Sequence, residues 1–391
     1  MGNSIKVFLQ IFVEVVFLPY IFFRAVYSRF KVKQIDIGLG PQPLINNVYH
    51  KQALELYGYR TETFISNPFY ITNDFDIVLS EKYNIKTSLG QFRAFLCLIE
   101  LAFKYKILYF YFNGGPLGVS TKLICKFEAF FYKIANIKTV VMPYGSDVQE
   151  MSRSKNLYFK HTLNIDYSGH RHHREDIAKR IDYWVKNASH IISGCEWVDY
   201  MYAWDTLMLA HFSINTDVSQ CPVDSTDEKV FKIFHAPNHK AIKGSEHLIK
   251  AVADLKNEGF NIELVMLHSV SNQEILQTIQ KVDLVADQFV IGWYAMFALE
   301  AMNMQKPVLC YVRDDLEKLY IEAGLLLKDE LPVIKTDVLS IREKLVWAYS
   351  NRDELKEIGK KSKAFVQKYH SLEAVGSVFD VINTELMESA K

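Results

Sequence analysis

Residues 231–256 read FKIFHAPNHKAIKGSEHLIKAVADLK, and residues 287–312 read DQFVIGWYAMFALEAMNMQKPVLCYV. In the first segment, the apolar run 230–234 predicts a strand, and apolar residues return at helical spacing after a polar, basic loop. That loop ends in Lys243-Gly244-Ser245. A lysine, a glycine that lets the backbone approach a ligand, and a helix start that the serine can cap suit a phosphate group. We therefore predict an anion site in this loop.

The second segment carries one carboxylate among apolar neighbours. A helix is predicted over about 294–304, and it contains Glu300. The pair Lys306-Pro307 ends this helix, and the apolar run 308–312 predicts the next strand. A lone acid in such a helix must accept a hydrogen bond, for example from a sugar hydroxyl, or face water.

On these residues the chain resembles the donor-binding domain of the group 1, family 4 type, retaining glycosyltransferases. The family has the GT-B fold, in which two Rossmann-like α/β domains with parallel sheets face each other. Its members hold the nucleotide diphosphate with a basic residue and a following Lys-Gly, and hold ribose and sugar with a Glu-x7-Glu segment ending in Glu-Ala-Met-x-x-x-Lys-Pro. This chain matches at Lys243-Gly244, at Glu300-Ala301-Met302 and at Lys306-Pro307.

The chain departs from the family pattern twice. The first acid of Glu-x7-Glu falls on Gly292, and the usual arginine before the loop lysine falls on Asn238. The segment 287–294 is similar to a subgroup with Asp-Gln-x-x-Ile-Gly-Trp-Tyr. The resemblance implies that Lys243 and Glu300 bind the diphosphate and the ribose, and that the other donor contacts come from Asn238, His239, Lys240, Gly244, Ser245, Gly292, Trp293 and Tyr294.

The composition limits the classes of function. The chain has 391 residues, 49% of them hydrophobic, which is enough for two domains with substantial cores. Lys plus Arg and Asp plus Glu both number 45, so net charge does not indicate nucleic-acid binding. The five cysteines are scattered without a C-x-x-C pair, which is typical of reduced core residues in a cytosolic protein.

The most apolar stretch is 7–23, VFLQIFVEVVFLPYIFF, which is flanked by Lys6 and by a basic cluster up to Lys33. Its length lies at the lower limit for crossing a bilayer, and polar residues interrupt it. We expect a helix in the membrane interface, so that residues 6–33 make a peripheral contact with anionic lipid at the inner face of the cell membrane. A transmembrane helix and a helix packed on the protein's own core are the alternatives.

The first domain is predicted to alternate strands and helices. A strand over 31–38 leads into a flexible turn that contains Gly38 and Gly40, where the family's first domain meets the donor and acceptor. A second glycine turn, 113–116, precedes a long helix predicted over about 117–135. Gly145-Ser146-Asp147 then follows a strand and is similar to a motif of the same subgroup. We predict that Asp147 contacts the acceptor or the transferred sugar, although a helix cap is the alternative.

No metal site is predicted. His170, His172 and His173 form the densest histidine cluster, but their spacing does not converge on one point and no cysteine or H-E-x-x-H pattern accompanies them. A basic patch that faces solvent or the acceptor is the preferred interpretation.

The predicted organisation has four parts. A membrane-interface helix over 1–30 is followed by an acceptor-side domain over 31–222 and a donor-binding domain over 229–371. Residues 372–391 are predicted to cross back to the first domain as a helix, and 221–228 are the predicted linker.

Together with the family resemblance, these features predict a metal-independent glycosyltransferase without a bound cofactor, and the resemblance implies that it retains the anomeric configuration. It would move a sugar from a nucleotide-diphosphate donor to a glycan or lipid-linked acceptor during surface polysaccharide assembly, and Lys243, Asp147 and Glu300 would carry the chemistry. A catalytically inactive GT-B-shaped scaffold and a nucleotide-sugar epimerase are the alternatives. Nucleic acid is not an expected partner.

Overall fold

A computed structural model of the chain describes residues 3–69, 72–217 and 230–389. Its first sheet has seven strands in the order β3-β2-β1-β4-β5-β6-β7, and neighbouring strands are parallel. These strands are β1 Ile35–Leu39, β2 Thr61–Ile65, β3 Ile77–Val78, β4 Tyr105–Tyr111, β5 Lys138–Met142, β6 His190–Ser193 and β7 Thr206–Leu207.

Helices cover both faces of this sheet, so its central strands are apolar on both sides. The strand β4, with the sequence YKILYFY, is buried at every position except Lys106. The helices of the first domain are α1 Asn3–Phe30, α2 Ile45–Leu56, α3 Leu79–Lys82, α4 Ser88–Ala102, α5 Glu128–Ile134, α6 Leu157–Asp166 and α7 Arg174–Asn187.

The second sheet has five parallel strands in the order β12-β11-β10-β8-β9. Its strands are β8 Phe231–His235, β9 Ile262–Met266, β10 Leu284–Ala286, β11 Val308–Cys310 and β12 Val333–Lys335. The accompanying helices are α8 Lys240–Lys243, α9 Ser245–Asn257, α10 Asn272–Ile279, α11 Met296–Asn303, α12 Asp314–Glu322, α13 Ile341–Ser350, α14 Arg352–His370 and α15 Leu372–Glu388. The prediction of two α/β domains with parallel sheets is confirmed.

In both sheets the chain order reverses beside the first strand of the domain. β1 lies between β2 and β4, and β8 lies between β9 and β10. Open α/β sheets bind ligands outside the carboxyl ends of the strands at such a reversal. The loops after β1, β4, β8 and β10 are therefore the expected positions of ligand contacts.

The last helix returns to the first domain. On α15, Asn383 accepts a hydrogen bond from Tyr109 in the buried core of the first sheet, at 2.9 Å, and Asp380 accepts one from Tyr59, at 2.7 Å. Gly376 lies so close to α2 that a Cβ atom there would be 2.7 Å from the Ala53 carbonyl oxygen. The helix α15 is thus part of the packing of the first domain.

Polar and apolar contacts also join the two domains. The Arg313 guanidinium of the second domain forms an ion pair with Asp199 of the first at 2.7 Å, and both side chains are buried. On α6, Phe159 and Leu163 pack with Ile242 of α8 in a shared apolar cluster. The predicted linker, 221–228, lies outside the described residues, and the boundary between the domains stays a prediction.

Candidate active site

A cavity of about 140 Å³ lies between the two domains. The first domain contributes Ile45, at the start of α2, and the second contributes the loops after β8 and β9 together with one face of α11. The polar residues that line the cavity are Asn238, His268, Ser269, Asn272 and Glu300.

Glu300 is the acid of this cavity. Its side chain projects from α11 and is almost fully buried, and Oε1 accepts a hydrogen bond of 2.5 Å from the Asn272 amide. Burial raises the pKa of Glu300 to about 7, and the hydrogen bond from Asn272 lowers it in part. The carboxylate also raises the pKa of Tyr49 on α2, after the larger effect of that tyrosine's burial, so Glu300 faces the first domain.

Two residues predicted from sequence meet at this cavity. Asn238, in the loop after β8, lines it together with Glu300. His268 lies beside them, and its Nδ1 is 3.1 Å from the Pro237 carbonyl oxygen. Because a carboxylate accepts hydrogen bonds whereas an amide both donates and accepts them, this wall can bind a group with two adjacent hydroxyls.

Lys243 is not among the residues that line the cavity, and its predicted contact with a diphosphate stays a prediction. Its Nζ atom forms an ion pair with Asp287 Oδ1 at 2.9 Å, and the Asp287 side chain is fully buried. The other carboxylate oxygen of Asp287 accepts the N–H of Ala295, just before α11. Lys243 thus neutralises a buried acid that links two loops of the second domain.

The neighbours of Lys243 also have structural contacts. Gly244 has φ +73°, and a Cβ atom there would be 3.1 Å from Phe289, so the close packing of this turn requires glycine. Ser245 does not cap α9, because its hydroxyl lies 2.8 Å from His235 Nε2 inside the core. Gly244 and Ser245 thus make contacts within the domain, and their donor contacts stay a prediction.

His239 and Lys240 lie on the surface at the start of α8. Both residues are exposed, and His239 Nδ1 contacts the Tyr167 hydroxyl of the first domain. Partial desolvation of its ring lowers the pKa of His239.

Gly292 occupies a position that cannot hold a side chain. Its φ is +102°, and a Cβ atom would be 2.6 Å from the Arg313 Cγ and Cδ atoms. Trp293 and Tyr294 are fully buried behind it, and the Tyr294 hydroxyl lies 2.9 Å from His370 Nε2. The segment packs the core and lies against the ion pair between the domains, and the donor contacts of these three residues stay a prediction.

Asp147 is also used by the fold. Its fully buried carboxylate accepts the backbone N–H groups of Tyr144, Gly145 and Phe112 at 2.9–3.1 Å, which joins the ends of β4 and β5. Burial raises the pKa of Asp147 to about 6, although these hydrogen bonds lower it in part. Its contact with an acceptor or a transferred sugar stays a prediction, whereas the neighbouring Ser146 is exposed.

Gly38 and Gly40 are explained by packing. Gly38 lies inside β1, not in the turn, and a Cβ atom there would be 2.3 Å from the Tyr105 ring. A Cβ atom on Gly40 would be 2.1 Å from the Phe64 carbonyl oxygen. Both glycines let β1 lie close to its neighbours, and their contacts with donor and acceptor stay a prediction.

The sequence interpretation missed Gln42, which lies at the reversal of the first sheet. Its Nε2 donates to the Gly114 carbonyl at 2.9 Å and so connects the loops after β1 and β4. Within the described part of the chain, its buried Oε1 has no hydrogen-bond partner. A buried acceptor without a donor is unfavourable, so Gln42 is a candidate for binding a ligand hydroxyl.

Asn272 was missed as a contact of the cavity, which it lines together with His268. Both follow β9, the edge strand beside the reversal of the second sheet. A polar loop after a predicted strand was the available signal, but it did not show that this loop meets Glu300.

Comparison with known proteins identifies the fold of the chain but no sequence family. No family model matches the chain, and no curated protein matches it in sequence. A sucrose-phosphate synthase from Thermosynechococcus elongatus superposes with a TM-score of 0.58 at 12% identity, covering 91% of this chain and all of that one. The chain therefore has the GT-B fold, as the sequence resemblance implied.

Two further structures are similar at lower scores. A putative UDP-N-acetylglucosamine 2-epimerase from Listeria monocytogenes has a TM-score of 0.46 at 13% identity, covering 91% of this chain and 98% of that one. The H444N variant of the wall teichoic acid polymerase TagF has a TM-score of 0.45 at 11% identity, covering 100% and 98%.

Proposed function

We propose that the chain is a glycosyltransferase that binds the ribose of a nucleotide-diphosphate sugar at Glu300. The observation that carries this proposal is the buried carboxylate of Glu300, which is held by Asn272 and faces the first domain across the cavity. A carboxylate whose pKa is raised by burial destabilises the fold, and such a group is typical of a functional site. The diol of a ribose would donate hydrogen bonds to it and compensate for its desolvation.

The cavity fits one ring of the donor. Its volume of about 140 Å³ is below the roughly 300–1,000 Å³ of a complete small-molecule site. The diphosphate and the transferred sugar would then extend along the crevice between the domains. Lys240, which is exposed at the start of α8 and two residues after Asn238, would supply a positive charge to the diphosphate, with His239 beside it.

The transfer step needs stabilisation of the negative charge that develops on the leaving diphosphate. A lysine and backbone N–H groups can supply this stabilisation without a metal ion, since both attract charge on phosphate oxygens. Lys243 would act indirectly, because its ion pair with Asp287 fixes the position of the loop. The resemblance to the family 4 type enzymes implies retention of the anomeric configuration.

The acceptor would bind at the first domain. We propose that residues near Asp147 contact it, because the Asp147 carboxylate already accepts three backbone N–H groups. The Tyr144 hydroxyl accepts a hydrogen bond of 2.7 Å from Asn113 Nδ2, and the exposed Ser146 lies 3.4 Å from the same hydroxyl. Together with Gln42, these groups can bind the hydroxyls of a glycan or lipid-linked acceptor. Surface polysaccharide assembly at the inner face of the cell membrane is the setting that we propose.

The test is an assay of sugar transfer with a panel of nucleotide sugars and with glycan and lipid-linked acceptors. We expect one donor to give a glycosylated acceptor, and Glu300→Gln to lower the rate much more than Glu246→Gln, an exposed acid on α9. Donor binding without transfer would favour the scaffold alternative. Conversion of the donor in the absence of acceptor would favour an epimerase.

A further inference from the structure

The helix α1 packs along one side of the first domain and leaves the other side uncovered. Ile21 and Ala25 are fully buried, and the Ser28 hydroxyl donates to the Phe103 carbonyl at 2.9 Å. On the opposite side, Phe8 and Phe23 are each 69% exposed. Length and composition alone would allow residues Ile5–Phe30 to cross a membrane.

A buried acid fixes α1 to the domain. Glu14, near the middle of the helix, is 2% exposed and accepts the backbone N–H groups of Lys122, Leu123 and Ile124 at 2.6–3.1 Å. Gln10 adds a hydrogen bond of 2.7 Å to the Ser120 carbonyl. A helix that crossed a bilayer would have to break these contacts and place the Glu14 carboxylate in hydrocarbon, which is costly.

The exposed apolar surface extends beyond α1. Phe17 of α1 packs edge-to-face on Phe92 of α4, and Phe92 is itself 40% exposed. On the other side of α1, the Arg29 guanidinium lies 3.4 Å from the Ile134 carbonyl at the end of α5. Next to and on α5, Phe127 and Phe130 are 43% and 53% exposed. The helix thus lies between α4 and α5, and exposed aromatic side chains occur on α1, on α4, on α5 and at the start of α5; we call these exposed residues together the three-helix face.

Basic residues surround the end of this face. Two cavities of about 610 and 560 Å³ open at the C-terminal end of α1, and they share Lys31 and Lys33. Arg29 and Lys138 line the second cavity. Burial lowers the pKa of Lys33 to about 7, so a bound anion would favour its charged form. The apolar face and the adjoining cations match the two layers of an anionic bilayer, its acyl region and its headgroups.

We propose that the three-helix face docks on the surface of an anionic bilayer, with α1 lying in the interface and phosphate headgroups entering the basic cavities. The occupant is lipid and not a second protein, because the cations gather at one end of the apolar face, where headgroups would lie. This inference extends the membrane contact expected from residues 6–33 to α4 and α5, and it does not depend on the sugar-transfer proposal.

The test is flotation of the full chain with vesicles of phosphatidylcholine alone and of phosphatidylcholine mixed with phosphatidylglycerol. We expect binding to the mixed vesicles, weakened about tenfold or more by the pair Phe127→Ser and Phe130→Ser, which lies outside α1. The pair Arg29→Glu and Lys31→Glu should weaken it by a similar factor and lose its effect at high salt. The matched controls in the second domain are Leu339→Ser, at a residue 91% exposed, and the pair Lys250→Glu and Lys256→Glu.

A wash in alkaline carbonate separates docking from spanning. Release of the protein by the wash agrees with the proposal, whereas retention in the vesicles would show a spanning helix and overturn it. Equal binding to both kinds of vesicle, or unchanged binding of both variant pairs relative to their controls, would also overturn it. If one pair fails to fold, as judged by circular dichroism, the other pair still decides the outcome.

Discussion

The Asn272 amide donates a hydrogen bond of 2.5 Å to Glu300 Oε1, and it thereby joins the start of α10 to the helix α11. This contact holds a buried carboxylate at the boundary between the two domains. Burial raises the pKa of Glu300, and among the described residues the hydrogen bond from Asn272 is the interaction that lowers it. A second donor, from a ligand, would complete its hydrogen bonding. The proposed donor site depends on this relationship.

The first prediction concerns the effect of Asn272 on the titration of Glu300. Asn272→Ala removes the hydrogen bond that lowers the pKa of Glu300, so this pKa should rise above about 7. If donor binding needs the carboxylate, the pH at which half of the affinity is lost should move upward in the variant. Titrations of donor between pH 5 and 9 measure this shift. Gln273→Ala, at the exposed neighbour, is the control, and equal profiles for the two variants would contradict the prediction.

The second prediction concerns stability. The folded pKa of Glu300, about 7, lies above the ordinary value of 4.5, so the folded state keeps the proton to higher pH than the unfolded state. The wild type should therefore lose stability as the pH rises from about 4.5 to 7. Glu300→Gln carries no charge at any pH, so relative to wild type it should gain up to about 3 kcal/mol in free energy of unfolding across this window.

Denaturant unfolding of both proteins at pH 4.5 and pH 8 measures this difference. The other buried acids, such as Asp147, are present in both proteins, and their contributions cancel. A pH-independent difference between wild type and variant would mean that Glu300 titrates in the same way in the folded and unfolded chain.

The third prediction separates Lys243 from Lys240. Lys243→Ala leaves the Asp287 carboxylate buried and unpaired, so it should lower the free energy of unfolding by about 3–5 kcal/mol. Lys240→Ala, on the same short helix but exposed, should change stability by less than about 0.5 kcal/mol while weakening donor binding. Urea unfolding and donor titration of both variants test this contrast, and a stable Lys243→Ala protein would contradict it.

The fourth prediction concerns Gly292. Gly292→Ala places a Cβ atom 2.6 Å from the Arg313 side chain at φ +102°, and it should disturb the ion pair between Arg313 and Asp199. Gly259→Ala is the matched control, because Gly259 has φ +93° and a Cβ atom there meets no atom within 4 Å. The cost of the positive φ is thus common to both variants. Gly292→Ala should be less stable than Gly259→Ala by about 1–3 kcal/mol, and equal urea midpoints would exclude a role for the close contact.

The sequence predicted the two parallel sheets and the helix that carries Glu300, because both depend on local patterns. Apolar runs such as 230–234 and 308–312 became buried strands, as expected for parallel sheets. The helix predicted over 117–135 is shorter, since α5 begins only at Glu128. Glu14, more than a hundred residues earlier, accepts the N–H groups of 122–124, and one sequence segment cannot reveal such a contact.

The roles of polar motif residues were harder to predict. Lys243 and Asp147 have the side chains that a phosphate or a sugar needs, but both are used by the fold, one in an ion pair and one in hydrogen bonds to three backbone N–H groups. A sequence motif shows which residue type stands in which loop, whereas the atoms that such a residue contacts depend on tertiary packing. Gln42 and Asn272 were missed for the converse reason, because ordinary polar residues become site candidates only through their position.

The most direct measurement of the central claim is calorimetric titration of nucleotide-diphosphate sugars into the wild-type protein, Glu300→Gln and the control Glu246→Gln at pH 8. Glu300→Gln keeps the shape of the side chain and removes its charge, so its effect reports on the hydrogen bonds to the carboxylate. The account predicts a donor that binds the wild type and the control with the same Kd and binds Glu300→Gln at least about tenfold more weakly. Equal affinity of all three proteins for that donor would show that Glu300 does not bind it.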